Sequence, residues 1–275
     1  MKSKRPLGAV IVLLIIFLAG CGSSFSPEFR VMDIYSYRVT DLPWDKQLEF
    51  EMNNARFFAE LEAEHNAFIV DTSNFQVIDG QRAWEIHEQH YLSGEFEHFW
   101  PSAFCPHGRS IAVSIHYFTH NPIEPVGGGT LLDHVVFDNP YTLNILVPQS
   151  LHEYEEDIIA AYRWSFWFNL IEVENIYHEF IGTPLNETPQ EDLHINIIWV
   201  ESNQSYFTFD SRIESDKENL IIDPVVRVLL PDAIHPAQLG SIMQIGVFLY
   251  GTDWNTRDFD TGRDDLVVND IRRLR

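Results

Sequence analysis

The feature that most constrains this chain is its first twenty-one residues, where a basic start leads into an apolar run. The apolar stretch from Leu7 to Leu18 is almost uninterrupted, and it ends in Leu18-Ala19-Gly20-Cys21; the basic residues before it are Lys2, Lys4 and Arg5. A helix that spans a bilayer needs about 20 apolar residues, and this stretch is shorter. The segment is typical of a secretory signal. We expect residues 1–20 to be a signal peptide.

The four residues that end at Cys21 match the bacterial lipobox. The match implies cleavage between Gly20 and Cys21, and a diacylglycerol, with acyl chains such as palmitate, on the Cys21 sulfur. A thiolate is the strong nucleophile that such a thioether requires. We therefore expect a lipoprotein tethered to the outer face of the cell membrane. The alternative is an uncleaved anchor or first transmembrane helix that ends in Gly-Cys.

The charge of the chain limits its partners. The sequence has 41 acidic and 18 basic residues, a formal charge of -23. Without residues 1–20, 15 basic and 41 acidic residues remain, a net charge of -26. Such a field repels nucleic acids and anionic lipid headgroups, so we expect neither as a direct partner. No later stretch of 18 apolar residues occurs, and we expect the rest of the chain to be extracytoplasmic.

Apolar periodicity predicts an α+β fold, in which a mixed or largely antiparallel sheet packs against two long helices. The first helix is predicted over 49–65, with the acidic residues away from an apolar face formed by Leu48, Met52, Ala55 and Ala59. The second is predicted from about Leu151 to Phe168, with Ser150 and Glu153 at the spacing of a capping box. Residues 81–91 indicate a weaker helix.

Short apolar runs bounded by Pro, Gly or Asp predict the strands. They cover 68–70, 111–117 with a half-buried alternation, 143–147, 195–200, 206–209, 225–230 and 242–250. Residues 195–200 and 206–209 should pair as a hairpin. We expect four parts along the chain: the signal peptide 1–20, a flexible tether 21–30, an extracellular α+β domain 31–251 and a charged tail 252–275 with at most one short helix.

Twelve histidines raise the question of a metal site. His87 and His90 are three residues apart on a predicted helix, and His116 and His120 could share a strand face. No zinc motif such as HExxH occurs, so we expect no metal ligands, no cofactor and no catalytic residues. Cys105 lies between Phe104 and Pro106, which favours a packed, inert thiol. The alternative is a metal-dependent surface hydrolase that uses the region from His87 to His134.

The predicted second helix carries too many aromatic residues for one buried stripe. They occupy more than half of its circumference: Tyr162, Trp164, Phe166, Trp167 and Phe168. Either the helix lies between two layers of its own domain, or one aromatic flank meets a partner. In the second case we expect Trp164, Trp167 and Phe168 to be the partner-binding residues.

Several short signatures together resemble one known ectodomain. They are Tyr117-Phe118, Asn121-Pro122-Ile123, Thr142–Pro148, Tyr154-Glu155 with Tyr162, Val173–Tyr177, Tyr206–Phe209 and Ile222–Val225. Over roughly residues 30 to 250 the chain resembles the extracellular domain of the bacteriocin-associated integral membrane proteins, which are FtsX-like permeases of ABC transporters. The resemblance implies work alongside a cytoplasmic ATPase in export of, or resistance to, antimicrobial peptides. The resemblance implies no catalytic residues in this chain.

This chain departs from that family because it lacks transmembrane helices after the domain and starts as a lipoprotein. The expectation is therefore either a free-standing, lipid-anchored version or a fragment that ends before the membrane segments. We expect a non-enzymatic accessory or sensor component that binds an ABC permease or a cationic peptide, because opposite charge raises the encounter rate. A substrate-binding lipoprotein of an importer is a third alternative, which the β-rich final third disfavours.

Overall fold

The structure, a computed structural model, describes residues 29–36, 43–93, 100–209, 213, 219–230, 233–235, 239, 247–250 and 266–273. Gly20, Cys21, the signal segment and most of the tether lie outside this part of the chain. The α-helices of the described residues are α1 (Trp44–His65), α2 (Ala83–Ser93), α3 (Tyr117–His120), α4 (Glu155–Trp167) and α5 (Val173–Ile181). Within the described ranges, no helix has both the length and the apolar character needed to cross a bilayer.

The strands build one large sheet and two short ribbons. They are β1 (Phe29–Ser36), β2 (Phe68–Asp71), β3 (Val77–Ile78), β4 (Gln81–Arg82), β5 (Ser110–Ser114), β6 (Thr142–Pro148), β7 (His194–Val200), β8 (Ser205–Phe207), β9 (Leu220–Ile222), β10 (Val225–Leu229), β11 (Val247–Tyr250) and β12 (Leu266–Arg273). The large sheet has the order β12-β1-β11-β2-β5-β10-β6-β7, and the ribbons are β3-β4 and β8-β9.

The sheet is mixed, as the sequence predicts. In its five strands β2-β5-β10-β6-β7, the pairs β5-β10 and β6-β7 are parallel, whereas β2-β5 and β10-β6 are antiparallel. All five residues of β5 and all seven of β6 are buried. Both faces of these strands are covered, so Ala112 and the polar Ser110, Ser114 and Asn144 are buried along with the apolar residues. The half-buried alternation predicted for 111–117 is therefore wrong, and Tyr117 starts α3 instead.

Two further predictions differ from the structure in how the residues pair. β8 does not pair with β7 as a hairpin but with β9. The carboxylate of Asp223, just after β9, accepts hydrogen bonds from the backbone N–H groups of Asn203 and Gln204 at 2.8 and 3.0 Å, which holds the turn before β8 against β9. Residues 266–273, where at most a short helix was expected, form β12 and pair with β1.

The mixed α/β fold is confirmed, but two long helices are not. α1 has 22 residues, whereas α4 has 13 and begins four residues later than predicted, after a 3₁₀ turn over Gln149–Tyr154. A π turn over Phe168–Glu172 then joins α4 to α5. We call residues 155–181 the helical segment.

The buried face of α1 also differs from the prediction. Met52 is 46% exposed, and the buried residues are Phe50, Glu51, Asn54, Phe58, Leu61 and Glu62. Phenylalanine buries more apolar area than the alanines of the predicted stripe, so Phe50 and Phe58 determine which face turns inward. Two glutamates are buried with them because they share that face.

Glu62 is the buried acid with the clearest consequence. Its side chain is 6% exposed, next to the fully buried Ser114 of β5. The Ser114 hydroxyl accepts a hydrogen bond from the Ile69 N–H at 3.1 Å and donates its own proton to the Glu62 carboxyl group. Burial raises the pKa of Glu62 to about 7, against the weaker, lowering effect of that hydrogen bond. An acid whose pKa is higher in the folded state than in the unfolded chain makes folding less favourable as the pH rises.

We predict that Glu62→Gln removes this pH dependence. Between pH 4.5 and 7 the folded protein binds more protons at position 62 than the unfolded chain does, so wild-type stability falls by up to about 3 kcal/mol over that range. The variant should match wild type near pH 4.5 and exceed it at pH 8, as measured by urea denaturation. Glu64→Gln, at an exposed position of the same helix, is the control and should not change the pH dependence. A stability difference between Glu62→Gln and wild type that is equal at both pH values contradicts the prediction.

Candidate functional site

The aromatic residues of the helical segment divide between the core and the surface. The buried residues of α4 lie at helical spacing on one face: Ile158, Ala161, Tyr162, Ser165 and Phe166. This face packs into the core against the sheet. Trp164 and Trp167 are half-buried, and Phe168 is 41% exposed. Both arrangements that the sequence left open are thus partly present, because one flank is internal and another reaches the surface.

The π turn decides where the outer aromatic side chains point. In an uninterrupted α-helix, Phe168 and Phe180 would lie about 120° apart around the axis. A π turn advances by fewer degrees per residue, so it brings Phe168 towards the side that carries Phe180. Ile176 and Phe180 are 41% and 59% exposed. We call Phe168, Ile176 and Phe180 the outer helical surface.

A row of three rings begins at Phe168. Its ring stacks on Trp164 with centroids 5.6 Å apart and planes within 14°, and Trp164 contacts Trp100 at 6.2 Å. Trp167 has a different role, since its Nε1–H donates to the Thr188 carbonyl at 3.1 Å and ties α4 to the segment before β7. Of the three residues predicted to bind a partner, Trp164 and Phe168 lie together at the surface, and Trp167 is engaged within the domain.

A small pocket lies beside this row. Its lining includes Trp100 and Trp164, the half-buried His87, the buried Cys105 and the exposed His107. The Cys105 Sγ is 3.2 Å from His87 Nε2, and the rings of His87 and His107 are 5.7 Å apart. Among the described residues, this is the thiol–imidazole contact that could in principle form a nucleophile–base pair.

The loop that carries Cys105 is fixed from several sides. Glu88 of α2 accepts a hydrogen bond from the Ser102 N–H at 2.8 Å, and the Asn74 side-chain amide donates to the Pro106 carbonyl at 2.9 Å. Gly108 allows the loop to close on itself, because a Cβ at that position would lie 2.0 Å from the Ser102 carbonyl oxygen. The thiol is therefore held in place beneath Trp100 rather than presented to solvent.

Electrostatics keep the thiol and both imidazoles neutral. Burial raises the pKa of Cys105 to about 12. Burial also lowers the pKa of His87, and burial together with the nearby Arg227 charge lowers the pKa of His107 to about 4. Cys105 Sγ and His87 Nε2 are within hydrogen-bonding distance, and the tautomer of His87 decides which of the two groups donates. The thiol is therefore protonated at pH 7, whereas a nucleophilic cysteine needs a substantial thiolate fraction.

The other histidines of the His87–His134 region are dispersed. His116 and His120 lie at a helical turn, not on a strand face, and burial lowers the pKa of each. His134 is engaged with the Gly128 carbonyl at 3.2 Å. His98 lies outside the described residues. Across the part of the chain that the structure describes, no three His, Cys, Asp or Glu side chains are grouped as a metal ion would need.

A second apolar contact extends the surface of the helical segment towards α1. Trp44 stacks on Phe180 with centroids 4.1 Å apart and meets the edge of Tyr177 at 5.6 Å. Sequence reasoning missed Phe180 and the Cys105–His87 pair. Phe180 could have been identified from the sequence, because Ile176 and Phe180 are four residues apart and so lie on the same face of a helix. No sequence pattern indicates the pairing of His87 with Cys105, since they are 18 positions apart and a loop lies between them.

No relative of this chain is found among known proteins. The chain matches no protein-family model, and no curated protein or solved structure is significantly similar to it. The resemblance to the bacteriocin-associated permease ectodomain therefore stays a prediction.

We predict that Cys105 is inert in the folded protein. In a Cys21→Ser background, iodoacetamide should alkylate it at least about 100-fold more slowly in native buffer than in urea, because the thiol is 1% exposed and protonated. Mass spectrometry measures the rate. A Ser93→Cys, Cys105→Ser variant in the same background places the only thiol at an exposed position and should react rapidly. Rapid native alkylation of Cys105 with a midpoint near pH 7 contradicts the prediction.

Proposed function

We propose that this chain is a non-enzymatic, lipid-anchored protein of the outer cell surface that binds a cationic, amphipathic partner through its helical segment. The observation that carries the proposal is the coincidence of apolar and acidic groups on that segment. Phe168, Ile176 and Phe180 are exposed in a region that is strongly acidic. A partner with one apolar and one basic face is complementary to both properties.

The charge of this region is one-sided. Between Leu151 and Asp192, Arg163 is the only Lys or Arg, and ten acidic residues surround it in sequence: Glu153, Glu155, Glu156, Asp157, Glu172, Glu174, Glu179, Glu187, Glu191 and Asp192. None of the ten is buried. The guanidinium of Arg163 is occupied, because its Nε–H donates to the Leu193 carbonyl at 3.1 Å. The field over the helical segment therefore attracts cations and steers them towards it.

The apolar part supplies the contact area. The stacked pair Trp164–Phe168 and the pair Trp44–Phe180 present rings that are already ordered by their neighbours. Binding to such rings costs less side-chain entropy than binding to flexible side chains. Aromatic residues are also the commonest centres of binding energy in protein interfaces.

The proposal favours binding over catalysis at the Cys105 pocket. The thiol–imidazole pair is neutral and lies behind Trp100 and Trp164, which disfavours a nucleophilic role. The place of the protein in an ABC-type export or resistance system for antimicrobial peptides or bacteriocins, as accessory or sensor, is part of the proposal. It rests on the sequence resemblance and on the acidic surface, which suits a cationic peptide or a basic permease surface.

We predict salt-sensitive binding that depends on Phe168. The probe is a 14-residue helix of leucine and lysine with one apolar face, titrated by calorimetry into the mature chain, residues 21–275 with Cys21→Ser. Affinity should fall at least about tenfold between 50 and 500 mM salt, because screening shortens the range of the attraction. Phe168→Ala should weaken binding at least about fivefold, through loss of a central aromatic contact.

Phe137→Ala is the matched control, since Phe137 is 53% exposed on a different segment and should not affect binding. Binding that is absent, insensitive to salt, or equally affected by both substitutions would contradict the proposed function.

A further inference from the structure

The outer edge of β7 has unused hydrogen-bonding capacity. β7 is the last strand of the large sheet, with β6 on one side. The His194 N–H donates to the Tyr141 carbonyl at 2.9 Å, which is on the β6 side. In a parallel pair, the N–H and C=O groups of one residue both point to the same edge of the strand. The N–H and C=O groups of the residues before and after it point to the opposite edge. The backbone N–H and C=O groups of His194, Asn196 and Ile198 therefore point to β6. Those of Ile195, Ile197 and Trp199 point to the outer edge.

The C-terminal end of β7 confirms this alternation and is already paired. The Trp199 carbonyl accepts from the Val126 N–H at 2.8 Å, and the Glu201 N–H donates to the Glu124 carbonyl at 3.1 Å. Residues 124–126 thus act as a short antiparallel strand, with a bridge between Pro125 and Val200. The C-terminal end of this edge is therefore covered by the chain's own backbone.

The rest of the edge is left open by three glycines. Gly127, Gly128 and Gly129 have φ values of 91°, 79° and 90°, and they turn the chain away from β7 directly after Val126. Among the described residues, no backbone hydrogen bond outside the β6–β7 ladder reaches Ile195 or Ile197. Both side chains are only half-buried. An edge of this kind is a template for another extended chain.

Acidic side chains stand at both ends of the open edge. Glu191 and Asp192 precede β7, and Glu124 and Glu201 flank its end; all four are exposed. A second copy of this chain, with the same four acids and a strongly negative charge, would be repelled there. An extended peptide with basic residues before and after an uncharged centre is complementary.

We infer that the outer edge of β7, from His194 to Ile198, accepts an extended peptide segment with basic flanks as a ninth strand of the sheet. The two N–H and two C=O groups of Ile195 and Ile197 form its hydrogen bonds. About five residues of the peptide, or roughly 17 Å, cover this length. The inference rests on the proposed function only for the charge of the partner, and it concerns an edge distinct from the outer helical surface.

Amide hydrogen exchange tests the inference on the mature chain with Cys21→Ser. In the free protein, the amides of Ile195 and Ile197 should exchange much faster than those of Asn196 and Ile198. The probe is a nine-residue peptide with a Val-Thr-Val-Thr-Val centre and two lysines at each end. Its addition should slow exchange at Ile195 and Ile197 at least about tenfold and leave Asn196 and Ile198 nearly unchanged.

N-methylated versions of the peptide identify strand pairing specifically. In an added strand, alternate amides point to β7, so methylation of one alternate set should abolish the protection and methylation of the other set should not. Glu191→Lys with Asp192→Lys should weaken binding at least about fivefold. Glu60→Lys with Glu64→Lys, exposed on α1, makes the same change of net charge and should have less effect.

Protection of Ile195 and Ile197 in the free protein, no protection on adding the peptide, or equal effects of both methylated sets would overturn the inference. These outcomes leave the proposed function standing if the leucine–lysine helix still binds in a Phe168-dependent way. Protection at β7 without binding of that helix would instead refute the proposed function alone.

Discussion

The packing of the helical segment against the sheet is the interaction on which the site depends. Ile158, Tyr162 and Phe166 are 0%, 0% and 5% exposed, and together they fix the rotation of α4 about its axis. With these residues inward, Trp164 is placed beside Trp100 and lines the Cys105 pocket. The same rotation leaves Phe168 outside. The core thus determines which aromatic residues remain for a partner.

The chain has a net charge of -23, and its core contains several ionisable groups. The structure keeps them neutral or pairs them. The Cys105 thiol is neutral at pH 7, and Arg227 lies 3.8 Å from Asp71 in a part-buried ion pair. Glu62 is the exception, since its pKa of about 7 leaves it partly charged. Glu51 is buried in α1 as well, whereas none of the ten acidic residues between Leu151 and Asp192 is buried, and these ten create the field that the proposed function uses.

Local patterns were sufficient where one feature dominated, as in β6 and β10, whose apolar runs have no competing interpretation. They failed where the outcome depended on contacts distant in sequence. The face of α1 was wrong because Phe50 and Phe58 outweigh smaller residues, and the hairpin was wrong because Asp223 holds the turn at Asn203. At the site, Trp164 and Phe168 were predictable from aromatic density alone. The π turn, the Cys105–His87 contact and the open edge of β7 follow from tertiary structure.

The functional account also depends on location, since an acidic binding surface acts on extracellular peptides only if it faces them. The prediction of location rests on Gly20 and Cys21. The most direct measurement is mass spectrometry of the N-terminal peptide from membrane and soluble fractions of the cell. The expected result is a membrane-bound protein that begins at Cys21 and carries a thioether-linked diacylglycerol, which is absent from a Cys21→Ser variant. A cytosolic protein, or a membrane-bound one that retains residues 1–20 with an unmodified Cys21, would contradict it.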